Sequence, residues 1–434
     1  MKRQIILTFA FAVAVFAAKA QIQDEEPTPL EKVQQTVEVH DQLLNKLNAF
    51  KFSGYLQPQF QLGQQAASLK VGTANENPNK SFNRMGIRRG RLKLVYDDGS
   101  IATGTIQLNI VDKSNASGVS QAVVQLKEAF LNVKDPWTMR SSIQAGVFDR
   151  PFGNEISYSS SLLESPERSR IIQTLFPEEC DLGAKVTLQT KANSPLSFIK
   201  LDAGFFAGNA INPETDNRKD FIGHIAATKP IGNTAKWGLG ASYYNGGVYQ
   251  GSNNVYTFAN GAWTKSAPTD NSNIGKFAKR EYFGFDGQFS FESKAGFTQL
   301  RAEYIWGTQP GTAGSTSSPN RSALTTDDTY LRKTSGWYAI LIQDLGKSPF
   351  SAVVKYDVYD PNTKIKKDQI GLNGTTKAEI AYNTLGVGAL WRINPAVRLQ
   401  LFYEMVKNEK TANIAAYTGD QKDNVFTARL QFKF

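Results

Sequence analysis

The connections of this chain sort by length in strict alternation, and that pattern restricts its fold more than any other feature. From residue 51 on, sixteen segments read as strands: 51–63, 84–97, 100–111, 121–134, 139–148, 180–190, 198–207, 219–229, 235–249, 281–292, 296–307, 333–344, 349–360, 380–393, 396–408 and 424–434. Most are long enough to cross a hydrocarbon layer at a tilt. Even-numbered segments are followed by tight turns such as Asp98-Gly99, Gly232-Asn233, Ser293-Lys294 and Asn394-Pro395. Odd-numbered segments are followed by longer polar loops: 64–83, 112–120, 149–179, 208–218, 250–279, 308–332, 361–379 and 409–423. A soluble Greek-key sandwich has no reason to sort its loops this way, whereas membrane barrels carry short turns on one side and long loops on the other.

The side-chain pattern agrees. Successive residues of a strand point to opposite faces. Val397, Leu399, Leu401, Tyr403 and Met405 oppose Arg398, Gln400 and Glu404, and Phe283, Phe285, Phe289 and Phe291 oppose Asp286, Gln288 and Ser290. The last ten residues alternate without a break, with Phe426, Ala428, Leu430, Phe432 and Phe434 on one face and Thr427, Arg429, Gln431 and Lys433 on the other. This segment is expected to pair with 51–63 and close the barrel. In lipid every backbone N–H and C=O must find a partner, so strands cross only as a closed barrel. Sixteen strands leave an aqueous lumen. The expected fold is all-β: a sixteen-stranded transmembrane antiparallel β-barrel with a short N-terminal periplasmic helix.

Composition excludes several classes. After the N-terminus no apolar run approaches the length of a membrane-spanning helix. The single cysteine, Cys180, rules out an internal disulfide. Two histidines, His40 and His224, leave little room for His-based metal sites or catalytic triads; no enzymatic role and no cofactor are expected. The formal charge is +10. No basic cluster with interleaved aromatics marks a nucleic-acid surface, so the excess points to anionic solutes or lipopolysaccharide as partners. No plug domain or energy-coupling segment appears, which argues against active transport.

The N-terminal region divides in two. Residues 1–20 read as a signal peptide: Lys2 and Arg3, an apolar core from Ile5 to Val15, and Ala18-Lys19-Ala20 before Gln21. Residues 21–50 read as a polar linker and a helix. Leu30, Val33, Val37, His40, Leu44 and Leu47 follow a heptad spacing, which fits either a small coiled coil joining protomers or a linker helix under the barrel.

Loop 149–179 within the barrel domain 51–434 differs from the other loops. It is rich in apolar residues, and folding into the lumen would bury Phe152, Leu162, Leu163, Ile171 and Ile172 and narrow the pore. The second strand is the most cationic. With Leu92, Leu94 and Tyr96 outward, Arg89, Arg91 and Lys93 face the lumen with Ile87, and Arg88 faces outward near the rim, where an arginine can snorkel. The expected anion path comprises Arg89, Arg91 and Lys93, then Arg150, Arg168 and Arg170 of the long loop, Lys185, and Arg429 of the closing strand. An alternative pairs these bases with lumen acids such as Glu128 and Asp202.

Several runs carry a resemblance. They are Arg88-Arg89-Gly90-Arg91-Leu92, Leu126-Lys127-Glu128-Ala129-Phe130, Gly146-Val147-Phe148-Asp149-Arg150-Pro151-Phe152-Gly153-Asn154-Glu155 with Glu167-Arg168-Ser169, and Asp181-Leu182-Gly183. Over residues 84–190 the chain resembles the phosphate-selective porin O and P family of outer-membrane porins. The resemblance implies a homotrimer of sixteen-stranded barrels in a Gram-negative outer membrane, an inward third loop and an arginine-lined path for phosphate-like anions. The loop here also carries Glu155, Glu164, Glu167, Glu178 and Glu179. The alternative function is a general or sugar-selective porin, with Tyr243, Tyr244, Trp263 and Trp306 as candidate stacking residues.

Overall fold

The computed structural model describes residues 29–72, 80–114, 120–319 and 326–434. The expected signal peptide lies outside the described residues. Pro29–Asn48 forms one helix, α1, whose Leu30, Val33, Val37, Leu44 and Leu47 are exposed. It belongs to a unit separate from residues 51–434.

The barrel strands are β1 (Phe50–Gly63), β2 (Phe82–Asp97), β3 (Ala102–Ser114), β4 (Ser120–Lys134), β5 (Ser142–Asp149), β6 (Cys180–Leu188), β7 (Ile199–Phe206), β8 (Asp220–Ile231) and β9 (Ala235–Tyr249). After a hairpin of β10 (Val255–Ala259) and β11 (Ala262–Ser266) come β12 (Phe277–Ser293), β13 (Gly296–Gly311), β14 (Thr329–Asp344), β15 (Phe350–Asp360), β16 (Tyr382–Arg392), β17 (Val397–Asn408) and β18 (Val425–Lys433). Each barrel strand pairs with its sequence neighbour, β12 pairs with β9, and β18 pairs with β1. The sheet is therefore a closed antiparallel barrel of sixteen strands, all sixteen at the positions read from the sequence. At the seam Phe434 and Gly54 exchange backbone hydrogen bonds of 2.9 and 3.0 Å, and the Phe434 ring meets Phe52 and Phe432.

Alternation along the strands sets the two faces. Val354 and Tyr356 of β15 and Leu401 and Tyr403 of β17 are exposed on the outer wall, while Val353, Lys355, Asp357, Gln400 and Phe402 are buried inside. A continuous exposed apolar wall of this size suits hydrocarbon, not water. Tyr243 and Trp306 belong to an aromatic group with Phe283, Phe221, Phe285 and Tyr304.

Two features depart from the period-two reading. The 250–279 loop contains the β10–β11 hairpin, turned by Asn260 (φ 53°) and Gly261 (φ 79°). An Asn-Gly pair between β-forming residues is a hairpin signal that composition obscured. β10 also runs parallel to the start of β14, and Phe258 and Trp263 pack on Ile365, Ile370 and Ile380 of the neighbouring long loop. The second departure is in β2. Met85 and Ile87 are exposed, yet Arg88 and Arg89 both bond Glu167 of the long loop. Alternation breaks between these arginines, so Arg88 faces inward with Arg89 and Ile87 faces outward, the reverse of expectation.

Candidate functional site

Residues 150–179 contact strands around most of the circumference. The Gly153 N–H donates to Ser242 Oγ of β9 at 2.8 Å. Arg301 of β13 pairs with Glu164, Lys355 of β15 with Glu155 at 3.0 Å, and Arg429 of β18 donates to the Pro166 carbonyl at 2.6 Å. Gln57 of β1 reaches the Ser160 carbonyl at 3.2 Å. A segment bonded to so many strands lies inside the barrel.

It is seated asymmetrically. Phe152, Ile156, Phe176 and the short helix α2 (Arg170–Leu175), through Ile171, Ile172 and Leu175, form one buried cluster with Phe148, Phe206, Ile222, Tyr244, Tyr282, Ile305 and Tyr359 of the wall. The apolar residues that looked misplaced in a loop are thus core residues. Leu163 is buried as well, but Leu162 is 47% exposed and does not join them. The tight turn at Gly153 (φ 60°) aims the N–H groups of Asn154 and Glu155 at Glu303 Oε2, 3.3 and 3.2 Å away. A Cβ at Gly153 would overlap the Glu303 carboxylate, so glycine is required both for its backbone angle and for the close approach.

The polar residues of the segment meet β1, β2, β4, β13, β15, β17 and β18. Glu167 is gripped by three guanidinium groups: Arg88 at 2.7 Å, Arg89 at 2.8 Å and Arg429 at 2.9 Å. Charge-assisted bonds of this kind are strong and directional. Burial pushes the Glu167 carboxyl up, yet these arginines hold it well below the usual carboxylate range. Burial acts likewise on Glu179, which Arg168 and Lys127 hold well below that range, and on Glu155, lowered by Lys355 and Ser169.

Because the apolar side of the segment fills one side of the lumen, open space remains along the seam. A recess of about 280 Å³ in the short-turn half is lined by Arg91, Lys93, Lys127, Arg168 and Lys433 against only two carboxylates, Glu128 and Asp149. A second, of about 430 Å³ in the long-loop half, is lined by Lys70, Arg168 and Arg170 with Glu167, Asp357, Glu404 and Asp423. Arg168 borders both recesses. A smaller recess of about 160 Å³ adjoins Arg88, Arg89, Arg91 and Lys127.

The expected path residues therefore separate into groups. Arg89, Arg91, Lys93 and Arg168 line recesses on the seam side, whereas Arg429 is buried on Gln59 and Glu167 and lines none of the three. Lys93 pairs with Glu128 at 2.9 Å. Arg91 has no ion pair among the described residues; its guanidinium meets Asn109 and lies 5.7 Å from the Tyr55 ring. Arg170 lines the outer recess, stacked 4.1 Å from the Tyr382 ring. Two residues stand apart: Arg150 is buried against Asp181 at 3.2 Å and Lys185 pairs with Asp202 at 3.2 Å, and neither lines these recesses. The sequence reading missed Arg88 and Lys127. Lys127 turns inward beside Glu128 where the β3–β4 register shifts, and a bulge of this sort leaves no periodic signature. His224 bonds Asp286 at 2.9 Å. Tyr243, Tyr244, Trp263 and Trp306 line none of the three recesses.

No family model matches the sequence, and no curated protein does. Solved structures do. The outer membrane channel DcaP of Acinetobacter baumannii aligns over 89% of this chain and 97% of its own, with a TM-score of 0.53 and 10% identity. OprB of Pseudomonas putida aligns over 91% and 96%, with 0.54 and 12%. Salmonella typhi OmpF, solved with daunomycin, aligns over 89% and 97%, with 0.53 and 12%. At these identities the likeness is one of fold, a closed β-barrel that takes in nearly the whole of each chain.

Proposed function

We propose that this protein is an outer-membrane porin through which small hydrophilic solutes diffuse down their gradients, with a bias toward anions such as phosphate. The observation that carries the reading is the set of recesses on the seam side of the lumen, two of which Arg168 borders. The recess in the short-turn half presents five cations against two carboxylates, and segment 149–179 narrows the lumen to that side. Arginine keeps its charge and offers several donors in a planar fork, which suits oxyanions. The sugar-selective alternative loses support because the four candidate stacking aromatics line none of these recesses.

Reversal potentials across planar bilayers under a salt gradient test the bias. The wild type is expected to favour anions, and Arg89→Ala with Arg91→Ala to lower the anion-to-cation permeability ratio by about two- to fivefold. A cation-selective wild type would overturn the anion bias and leave a general porin.

The chain is exported, on this reading, by cleavage before Gln21, and it sits among outer-membrane lipid and lipopolysaccharide as a homotrimer. The exposed heptad side chains of α1 are the surface on which three copies would associate. Deleting residues 22–48 is expected to leave a conducting barrel and weaken the trimer. An unchanged oligomer on non-denaturing gels would refute that role for the helix.

A further inference from the structure

The outer recess differs from the rest of the lumen in how its charges are arranged. Around segment 150–179 charges pair across short distances, as in Glu167 with three arginines, Lys127 and Arg168 with Glu179, and Lys355 with Glu155. In the outer recess Lys70, Arg170, Glu404 and Asp423 make no ion pair among the described residues, although all four line the same space of about 430 Å³. Asp423 Oδ1 is buried without a hydrogen-bond partner. Among the described residues the Asp357 carboxylate accepts only the backbone N–H of Arg170.

Lys70 is exposed and Arg170, Glu404 and Asp423 are half-buried, so an entering solute meets charges of both signs that no neighbouring ion pair already satisfies. The chemistry of that solute is restricted. A simple anion would meet Glu404, Asp423 and Asp357. A single metal ion does not fit, because among the described residues only Glu128, Asp149 and Cys180 bring ligand atoms within metal spacing, and they lie elsewhere. A neutral sugar would satisfy hydroxyl partners such as Thr174 and Thr384 but none of the charges. A solute carrying an ammonium and a carboxylate a few ångströms apart satisfies both signs. Its carboxylate would then lead into the cationic short-turn half.

We infer that the outer recess is a capture site for small zwitterions, namely amino acids and short peptides. This rests on the channel reading above and names a solute class for it.

Single-channel recording of the full chain tests the inference with three near-isosteres: glycylglycine, the anion N-acetylglycine and the cation glycylglycinamide. Glycylglycine is expected to reduce the ion current at a concentration at least about threefold lower than either single-charge analogue. Glu404→Gln with Asp423→Asn, and separately Lys70→Gln with Arg170→Gln, should each abolish that difference while the open current persists, which shows that the barrel is intact. A glycylglycine effect no stronger than those of both analogues, or one that survives both double substitutions, overturns the inference alone. A wild-type chain that conducts no ions overturns the channel reading and the inference with it.

Discussion

Glu167→Gln is expected to make the channel more anion-selective and to loosen the segment that Glu167 anchors. One carboxylate serves Arg88, Arg89 and Arg429, so its loss leaves three guanidinium groups close together with nothing between them. Stripping the partner from a buried ion pair costs about 3–5 kcal/mol, which here falls on the docking of residues 150–179. The electrical effect is separate. In a water-like medium one unit charge acts on a solute charge about 8 Å away with about 0.5 kcal/mol, so removing it favours anions and disfavours cations by about twofold each. The zero-current potential under a salt gradient should move in the anion direction; a shift toward cations, or none, would refute the placement of Glu167 beside the path. The pH dependence follows the same geometry. Glu155, Glu167 and Glu179 have carboxyls held below their ordinary value of 4.5. Their contribution to docking is fully present above that value and is lost as pH falls through the lowered ones. Docking of residues 150–179 in the wild type, read by amide hydrogen exchange, is therefore expected to hold steady from neutrality down to about pH 4.5.

Phe152→Ala is expected to release the segment from the wall. Phe152 is fully buried, with Phe176 5.2 Å away and the backbone of Gly284 beneath its ring. Removing such a ring costs about 3–5 kcal/mol through lost transfer energy and the cavity left behind. The freed segment should expose Arg168 and Arg170 to trypsin and raise unit conductance. Leu162→Ala, at an exposed position of the same segment, should do neither. Unchanged proteolysis and conductance in Phe152→Ala would show that the polar anchors alone hold the segment.

The two substitutions probe the two sides of one loop, and those sides were legible in the sequence to different degrees. Phe152, Ile171 and Ile172 stood out because apolar residues at that density do not suit solvent, and all three are core residues. Leu162 had the same chemistry and proved exposed, because a loop has no period from which to tell its faces apart. The cations of β2 were legible as a group, but their directions were not. Lys93 follows the alternation set by Leu94 and Tyr96, whereas Arg88 lies beyond the break and turns inward. Arg150 and Lys185 looked equivalent to the path arginines, yet each is held by an acid, Asp181 and Asp202, away from the recesses.

Segment lengths, turn residues and period-two alternation determined by themselves that the chain closes into sixteen antiparallel strands with its long loops on one side. These are local properties: a strand's two faces and a turn's backbone angles depend on residues a few positions apart. Only the tertiary structure decided which charges meet. Glu167 finds Arg88, Arg89 and Arg429 from opposite ends of the chain because β18 closes on β1 beside β2, and Lys127 turns inward because one extra residue shifts the β3–β4 register. Charge pairing across a lumen depends on which strands become neighbours and on single-residue bulges. Neither leaves a periodic trace in the sequence, so the cationic wall was readable as composition while its pairing was not.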